Sequence, residues 1–437
     1  MTRVVLTGSI ETARLFASWR PEREVLAETS GKNVIVVTPA ADPDLAVADV
    51  VRSAFGHAGQ KCSAASLVIL VGAAGDRRTP TGARLRRQLV DAVGSLAVGL
   101  PTDLGTVMGP LTEPAEGKLL RALTTLDPGE RWLVRPRSLD DGRLWTPGLK
   151  EGVAPGSWFH RTECFGPVLG VMTAATLDEA IDLQNAVDFG LTAGIHSLDE
   201  DEIDRWLDRV EAGNVYVNRH ITGAIVRRQP FGGWKASVVG PGAKAGGPHY
   251  VAQLGAWRDA LAPDGGPVPP RDDEPEAWLA WAEADDRRAW DSVFSRAHDP
   301  SGLRAEENSL RYRPVDVLTV RVGEGARGVE MRRVLHAART AGVPAVVSAA
   351  PGVAVPGAGT PETDEAFAAR VAAGEVTGRV RVVGRAPGLR EAAVRRAGLV
   401  TVLDRPVVAS AERELLAVLR EQAVSRTRHR YGHVQPR

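Results

Sequence analysis

Two hydrophobic periods alternate along this chain, and their alternation predicts its fold class. "MTRVVLTGSIETARLF" begins with strand-formers at Val4 to Leu6, turns at Gly8-Ser9, and continues with apolar positions at helical spacing. Gly8 permits a tight turn and Ser9 can cap the helix; amides at such a turn suit a phosphate. A strand then leads to Glu28, a Thr-Ser-Gly turn follows, and "NVIVV" from Asn33 reads as a buried strand. "DPDLAVADVVRSAF" from Asp42 has a cap and helical spacing, and "SLVILVG" returns to a strand. The pattern continues through "TLDEAIDLQNAVDFG" (helix), "LTAGIHS" (strand), "DEDEIDRWLDRVEAG" (helix) and "NVYVNR" (strand). Strands alternating with helices predict a mostly parallel α/β sheet.

"PDGGPVPPRDDEP", residues 263–275, reads as a linker. Beyond it lies an acidic, Trp-rich helix in which Trp278 and Trp281 share a face suited to packing. From Pro314 a second α/β pattern starts with "VDVLTVRV" and "VEMRRVLHAARTAG" and ends with "RVRVVG" and "REAAVRRAGLVTVLD". Its "RVGEGARG" is too short a glycine signal for a dinucleotide fingerprint, so this region reads as structural or assembly-related. The basic tail, "SRTRHRYGHVQPR", reads as a solvated end or a subunit contact.

Composition narrows the function classes. Basic and acidic residues number 54 each, so no bulk charge favours nucleic acid or an anionic membrane. The longest apolar run, Ala64 to Ala74, is too short to span a bilayer, and no signal pattern opens the chain. Two cysteines, Cys62 and Cys164, make neither a disulfide framework nor a metal-ligand spacing. A reduced, cytoplasmic setting is expected.

Candidate chemistry centres on "GHAGQKCSAASLVIL". A thiol needs help to ionise at neutral pH. Lys61 adds positive charge, a loop between helix and strand can surround the sulfur with amides, and Gly56 and Gly59 let backbone come close. On these residues alone, Cys62 fits both a nucleophile and a buried structural cysteine. Glu28, at a strand end thirty-four residues upstream, is placed to act as a general base for water.

"AETSGKN", "GQKCSAA", "TECFGPVL", "GLTAGIHS", "GNVYVNR" and "QPFGGWKAS" together resemble the aldehyde dehydrogenase superfamily. "NRHITGAIVRRQPFGG" and "GPGAKAGGPHYV" are similar to its Δ1-pyrroline-5-carboxylate (L-glutamate γ-semialdehyde) dehydrogenases. "DRPVVASAERELLAVLREQAVSRTRHRYG" resembles the C-terminal region of bacterial bifunctional proline-utilisation enzymes. The resemblance implies an aldehyde dehydrogenase-like catalytic domain, a remnant of the dinucleotide-binding domain, and a C-terminal α/β extension. The expected segments are 1–26 (remnant), 27–220 (catalytic), 221–262 (substrate-anchor loop and return), 263–275 (linker) and 276–437 (extension).

The resemblance also implies the roles. Cys62 would attack the aldehyde and Glu28 would activate water, the two facing each other across a cleft. Glu163, with Phe165 beside it, would meet the nicotinamide ribose of NAD, and Gly8 and Ser9 its pyrophosphate. Ser63, Gly223 and Ala224 would anchor the substrate's carboxylate and amine, with Phe231 as an aromatic wall. Thr222 reads as a turn residue, and Lys61 as either an electrostatic aid or a solvated lysine. His57 and His220 read as surface residues. No metal is expected.

The chain departs from the family at its start. Most of the dinucleotide-binding sheet, an oxyanion-hole asparagine and an adenosine-ribose lysine precede the Gly8 turn in relatives. A misplaced start, a separate polypeptide carrying the missing half, and a non-catalytic assembly fragment are each compatible with this. The expected partners are the semialdehyde, a missing N-terminal half and a fused or separate proline dehydrogenase. A Cys62–Glu28 thioesterase is a further alternative, but it has no use for Glu163 or Ser9.

Overall fold

The computed structural model describes residues 3–259, 267–355, 359–430 and 433–434. Residues 263–266 of the expected linker and residues 431, 432 and 435–437 of the basic tail lie outside the described residues. The chain groups into two compact units. The Cys62 unit comprises residues 30–235, 300–308 and 423–437; the Glu28 unit comprises residues 1–29, 236–299 and 309–422.

The Cys62 unit is built on a sheet of strands Arg131–Val134, Gly148–Glu151, Val168–Ala174, Ala65–Val71, Asn33–Val37, Thr192–His196, Asn214–Val217, Leu419–Thr427 and Glu306–Pro314, in that order. The last two contribute residues 423–427 and 306–308 to this unit. From Gly148–Glu151 to Leu419–Thr427 every pairing is parallel; Arg131–Val134 joins antiparallel at one edge. Parallel sheets need cover on both faces, which is why "VIVV" and "LVILV" are unbroken apolar runs. Ile35, Leu67, Val68, Ile69 and Leu70 are fully buried, each stabilising by about 1.5–3 kcal/mol. Asp42 caps the helix Pro43–Phe55 by accepting from the Asp44 and Leu45 N–H groups, as its sequence predicts.

Because the central strands run the same way, their first residues share one edge of the sheet: Asn33, Ala65, Thr192 and Asn214. Pairing across that edge slips by one residue. Asn33 faces Ala65, but Val34 faces Leu67, leaving Ser66 as an extra residue.

In the Glu28 unit a three-stranded sheet places Glu24–Glu28 between Arg3–Thr7, parallel to it, and Val238–Val239, antiparallel. Arg3–Thr7 is therefore an edge strand, and Val5 on it is exposed. The second sheet is fully parallel, in the order Thr360–Pro361, Ala345–Ala349, Leu318–Val322, Gly378–Val383, Val400–Leu403. Such an order reverses between Leu318–Val322 and Gly378–Val383, where doubly wound sheets commonly open a ligand crevice. Here the two loops are joined through their main chains, and a cavity of about 560 Å³, lined by Glu324, Gly325, Gly384, Arg385 and Asp404 among others, lies beside the junction. The Gly323 N–H donates to Val383 O (2.9 Å) and the Arg385 N–H to Glu324 O (3.0 Å). A Cβ on Gly323 would lie 1.6 Å from Arg385 O.

Trp278 is fully buried on the helix Pro275–Ala289, its indole N–H on Asp259 Oδ2 (2.7 Å), and Trp281 packs half-buried against the same core. The helix also carries Asp286, whose two oxygens meet the Arg333 guanidinium at 2.8 and 2.9 Å with both side chains sealed from solvent. Burial pushes the Asp286 carboxyl up to about 6 in spite of that partner. Arg333→Met, which strands this carboxylate, is expected to lower the stability of the Glu28 unit by about 3–5 kcal/mol in urea unfolding. Adding Asp286→Leu should recover most of the loss. A single variant as stable as wild type would show that the pair contributes nothing.

Candidate active site

The helix Pro43–Phe55 ends in a turn in which His57 and Ala58 are both left-handed (φ 58° and 53°). The Ala64 N–H then closes onto Lys61 O (2.9 Å), so Cys62 and Ser63 occupy the bend that enters the Ala65–Val71 strand. Cys62 is half-buried, Ser63 buried and Lys61 half-buried. Of the two glycines expected to bring backbone close, only Gly59 does so: a Cβ there would lie 2.3 Å from Gly166 O, whereas Gly56 faces open space.

Side chains at the strand starts hold this loop. The Asn33 amide Nδ2 donates to Cys62 O (2.7 Å) and Ala64 O (2.9 Å), while its Oδ1 accepts the Thr192 N–H (3.0 Å). The Thr192 hydroxyl donates to Ser63 O (3.2 Å). Two strands away, Asn214 brackets Phe231, donating to Pro230 O and accepting from the Gly232 N–H, each at 3.0 Å. The reading of the sequence missed all three residues. Their signal was an amide or hydroxyl opening an otherwise apolar strand, in "KNVIVV", "LTAGIH" and "GNVYV".

Glu163 meets this arrangement through Gly31, whose N–H donates to Oε1 (2.9 Å). A Cβ on Gly31 would lie 2.5 Å from Cys62 O, so only glycine lets the Glu163 anchor and the Cys62 loop lie this close. Burial pushes the Glu163 carboxyl up, against the pull of Gly31, Ser30 and two lysines. Phe165 is exposed and left-handed (φ 56°). Cys164 is buried, and burial raises its thiol pKa, so of the two thiols only Cys62 is open to reaction.

Lys32, next to Gly31, is buried with its ammonium 4.1 Å from the centre of the Phe159 ring and on no hydrogen-bond acceptor. Lys150 meets the same ring at 3.9 Å and pairs with Glu130 at 2.8 Å. Burial pushes Lys32 down to about 8.

Gly223 and Ala224 are exposed on a loop where Gly223 takes φ +80°. Gln229 secures that loop. Its Oε1 accepts the Ile225 N–H (2.9 Å), and its amide donates to Asn308 Oδ1 (2.6 Å) and Glu306 Oε1 (2.9 Å). Thr222 is buried, its hydroxyl 3.5 Å from His220 Nδ1. His57 is exposed, as a surface residue is expected to be, whereas His220 is half-buried, and burial followed by Arg52 and Arg219 pushes it down to about 4.

The remaining site residues lie together in the Glu28 unit. The Gly8 N–H donates to Glu28 O (3.1 Å), and Ser9 Oγ caps the helix Ile10–Trp19 by accepting the Thr12 N–H (3.1 Å). Any anion at this turn must therefore use amides other than that of Gly8. Glu28 is half-buried at its strand end, opposite Val238. Buried Lys244 is pushed down to about 8, against the pull of Glu28 and Glu421. Among the described residues no cluster of His, Cys, Asp or Glu is placed to hold a metal ion, and no helix is long and apolar enough to cross a membrane.

The Lys32 environment has a pH signature. Its folded pKa, about 8, lies below the ordinary 10.5, so the unfolded state holds the extra proton between those values. Wild-type stability should rise with pH across that window. Lys32→Met should flatten the rise. It should also stabilise the protein at pH 7 by about 1–2 kcal/mol, a desolvation cost of roughly 3 kcal/mol less the lost cation–π contact. Unfolding curves at pH 7 and above check both; a less stable variant with an unchanged pH slope would count against the assignment.

The profile of the aldehyde dehydrogenase family matches residues 1–257. A 1-pyrroline-5-carboxylate dehydrogenase of Bacillus cytotoxicus is 35% identical over 232 residues, 53% of this chain and 43% of that protein. Proline utilization A (PutA) of Corynebacterium freiburgense superposes on 99% of this chain and 42% of its own, with a TM-score of 0.84 and 48% identity. A 1-pyrroline-5-carboxylate dehydrogenase from Thermus, solved with bound NAD, matches 58% of this chain and 49% of its own (TM-score 0.51, 31% identity). The chain thus spans less than half the length of each of these relatives. With more than half of its residues matched by that profile, on a parallel sheet that presents Cys62 at its edge, the chain belongs to the aldehyde dehydrogenase family.

Proposed function

We propose that this chain carries the catalytic part of an NAD-dependent L-glutamate γ-semialdehyde dehydrogenase, which forms L-glutamate in the second step of proline breakdown. The observation that carries the reading is the Cys62 loop. Its carbonyls are tied into the fold, its thiol is half-exposed, and Gly31 couples it to an anchored carboxylate. The names of the 1-pyrroline-5-carboxylate dehydrogenase relatives support the substrate.

In this reading the Cys62 thiolate forms a C–S bond with the aldehyde carbon, giving a thiohemiacetal whose oxygen takes the charge. Loss of a hydride from this carbon leaves a thioester on Cys62; NAD, held by Glu163 and at the Ser9 turn, would supply the hydride acceptor. Glu28 takes a proton from water, which attacks the thioester; the C–S bond breaks and the thiolate is regenerated. The residues suit NAD. The Glu163 carboxylate, held by the Gly31 N–H, is an acceptor for ribose hydroxyls, and the capped helix start at Ser9 favours a pyrophosphate. Phe165 lies beside Glu163, while Ser63, Gly223 and Ala224 address the carboxylate and amine and Phe231 the aliphatic chain. The chain's similarity to PutA supports work within a longer polypeptide or beside a proline dehydrogenase. The reducing cytoplasm suits a chain whose two cysteines form no disulfide.

The test uses this chain joined to an upstream dinucleotide-binding domain. Cys62→Ala should abolish NADH formation, and Glu28→Gln should give a burst of NADH followed by turnover at least 100-fold below wild type, on the order expected for a lost general base. Wild-type turnover in the Cys62→Ala protein would end the reading; wild-type turnover after the burst in Glu28→Gln would remove Glu28 from it. Enlarging Gly223 and Ala224 to Val should raise KM for the semialdehyde by about tenfold and leave KM for NAD unchanged. Equal rises would make the loop merely structural.

A further inference from the structure

We propose that Asn33 is a positioning residue for the nucleophile, its carboxamide fixing the direction in which the Cys62–Ser63 main chain presents the thiol. The inference rests on Cys62 being the nucleophile and adds a residue that acts through it.

Three successive carbonyls, those of Cys62, Ser63 and Ala64, are captured by two side chains at neighbouring strand starts. Asn33 takes the first and third (2.7 and 2.9 Å) and Thr192 the second (3.2 Å). Asn33 is itself held, since its Oδ1 accepts the Thr192 N–H (3.0 Å) and its side chain is sealed from solvent. The clamp is therefore closed: strand to amide, amide to loop, loop to hydroxyl, hydroxyl to the same neighbouring strand. The Ser66 slip frees the start of the strand from regular pairing, so these side-chain bonds stand where ladder bonds would otherwise be.

The clamp also sets the far side of the loop. A trans peptide directs its C=O and N–H oppositely, so drawing Cys62 O toward Asn33 turns the Ser63 N–H away from it. Losing the carboxamide removes the Asn33 donor from two carbonyls and loosens this peptide plane. The amides that favour a thiolate then lose their fixed aim. Cysteine at position 62 stays; its preorganisation goes.

The experiment is peptide-resolved alkylation of the 437-residue protein by iodoacetamide across pH, with thermal midpoints measured in parallel. In wild type, Cys62 should react with a pH midpoint below that of a free cysteine. Asn33→Ala should raise the midpoint so that reaction at pH 7 slows about tenfold. Asn33→Asp, which keeps the acceptor for Thr192 but offers the carbonyls no donor, should do the same. Thr192→Val, which removes only the bond to Ser63 O, should slow reaction about threefold, and it decides the matter if the Asn33 variants do not fold. A purely structural role would lower the thermal midpoint and leave the pH midpoint in place; that outcome overturns the proposal while leaving Cys62 as nucleophile. A wild-type Cys62 that titrates like a free thiol would overturn the reading of Cys62, and the clamp with it.

Discussion

A parallel sheet leaves the carbonyl and amide groups at its strand ends without partners, and the Cys62 unit meets this constraint with side-chain amides. Asn33 and Asn214 each open a strand, and each turns its carboxamide N–H onto loop carbonyls. The consequence is positional. Cys62 and Phe231 lie in different loops, but both are referenced to the same sheet edge through one short, stiff side chain apiece. A loop fixed in this way inherits the rigidity of the buried strands behind it, whose core residues are fully sealed.

Behind that edge the unit carries a costly electrostatic arrangement. Two lysine ammoniums face one phenyl ring, with Glu130 on one of them and the half-buried Glu163 close to the other. Charges in such a setting are retained at the expense of stability. Lys32, together with Lys118, favours the charged form of the Glu163 carboxylate, which burial pushes toward its neutral form. Gly31 is the joint of the arrangement. Its N–H holds Glu163, its missing Cβ admits Cys62 O, and its neighbours in sequence are Lys32 and, one further on, Asn33.

The main course of the fold was legible in the sequence because its strands are unbroken apolar runs and its helices begin with strong caps. Asp42 and Ser9 cap where the pattern places them. Cys62 and Glu163 stood out through motif resemblance and rare residue type. Asn33, Thr192 and Asn214 did not, since a polar residue at a strand boundary reads locally as a boundary marker, and its partners lie 16 to 159 residues away in the chain. Gly56 was given a close approach that belongs to Gly59 alone, because spacing cannot tell which of two glycines meets backbone. Of the two histidines read as surface residues His57 is exposed, but His220 is half-buried, among groups such as Arg52 that lie far from it in sequence.

The bonded reversal point of the C-terminal sheet limits how its two loops can move. Doubly wound sheets that take ligands have a seam: two loops that part, admit a molecule and close over it. In this sheet the loops after Leu318–Val322 and Gly378–Val383 are stitched to each other through their main chains, with Gly323 pressed on Arg385. No side chain has to move for the stitch to hold, and no side-chain rotation can undo it. Parting these loops would cost main-chain hydrogen bonds, so whatever enters the cavity beside them has to do so with the loops still joined.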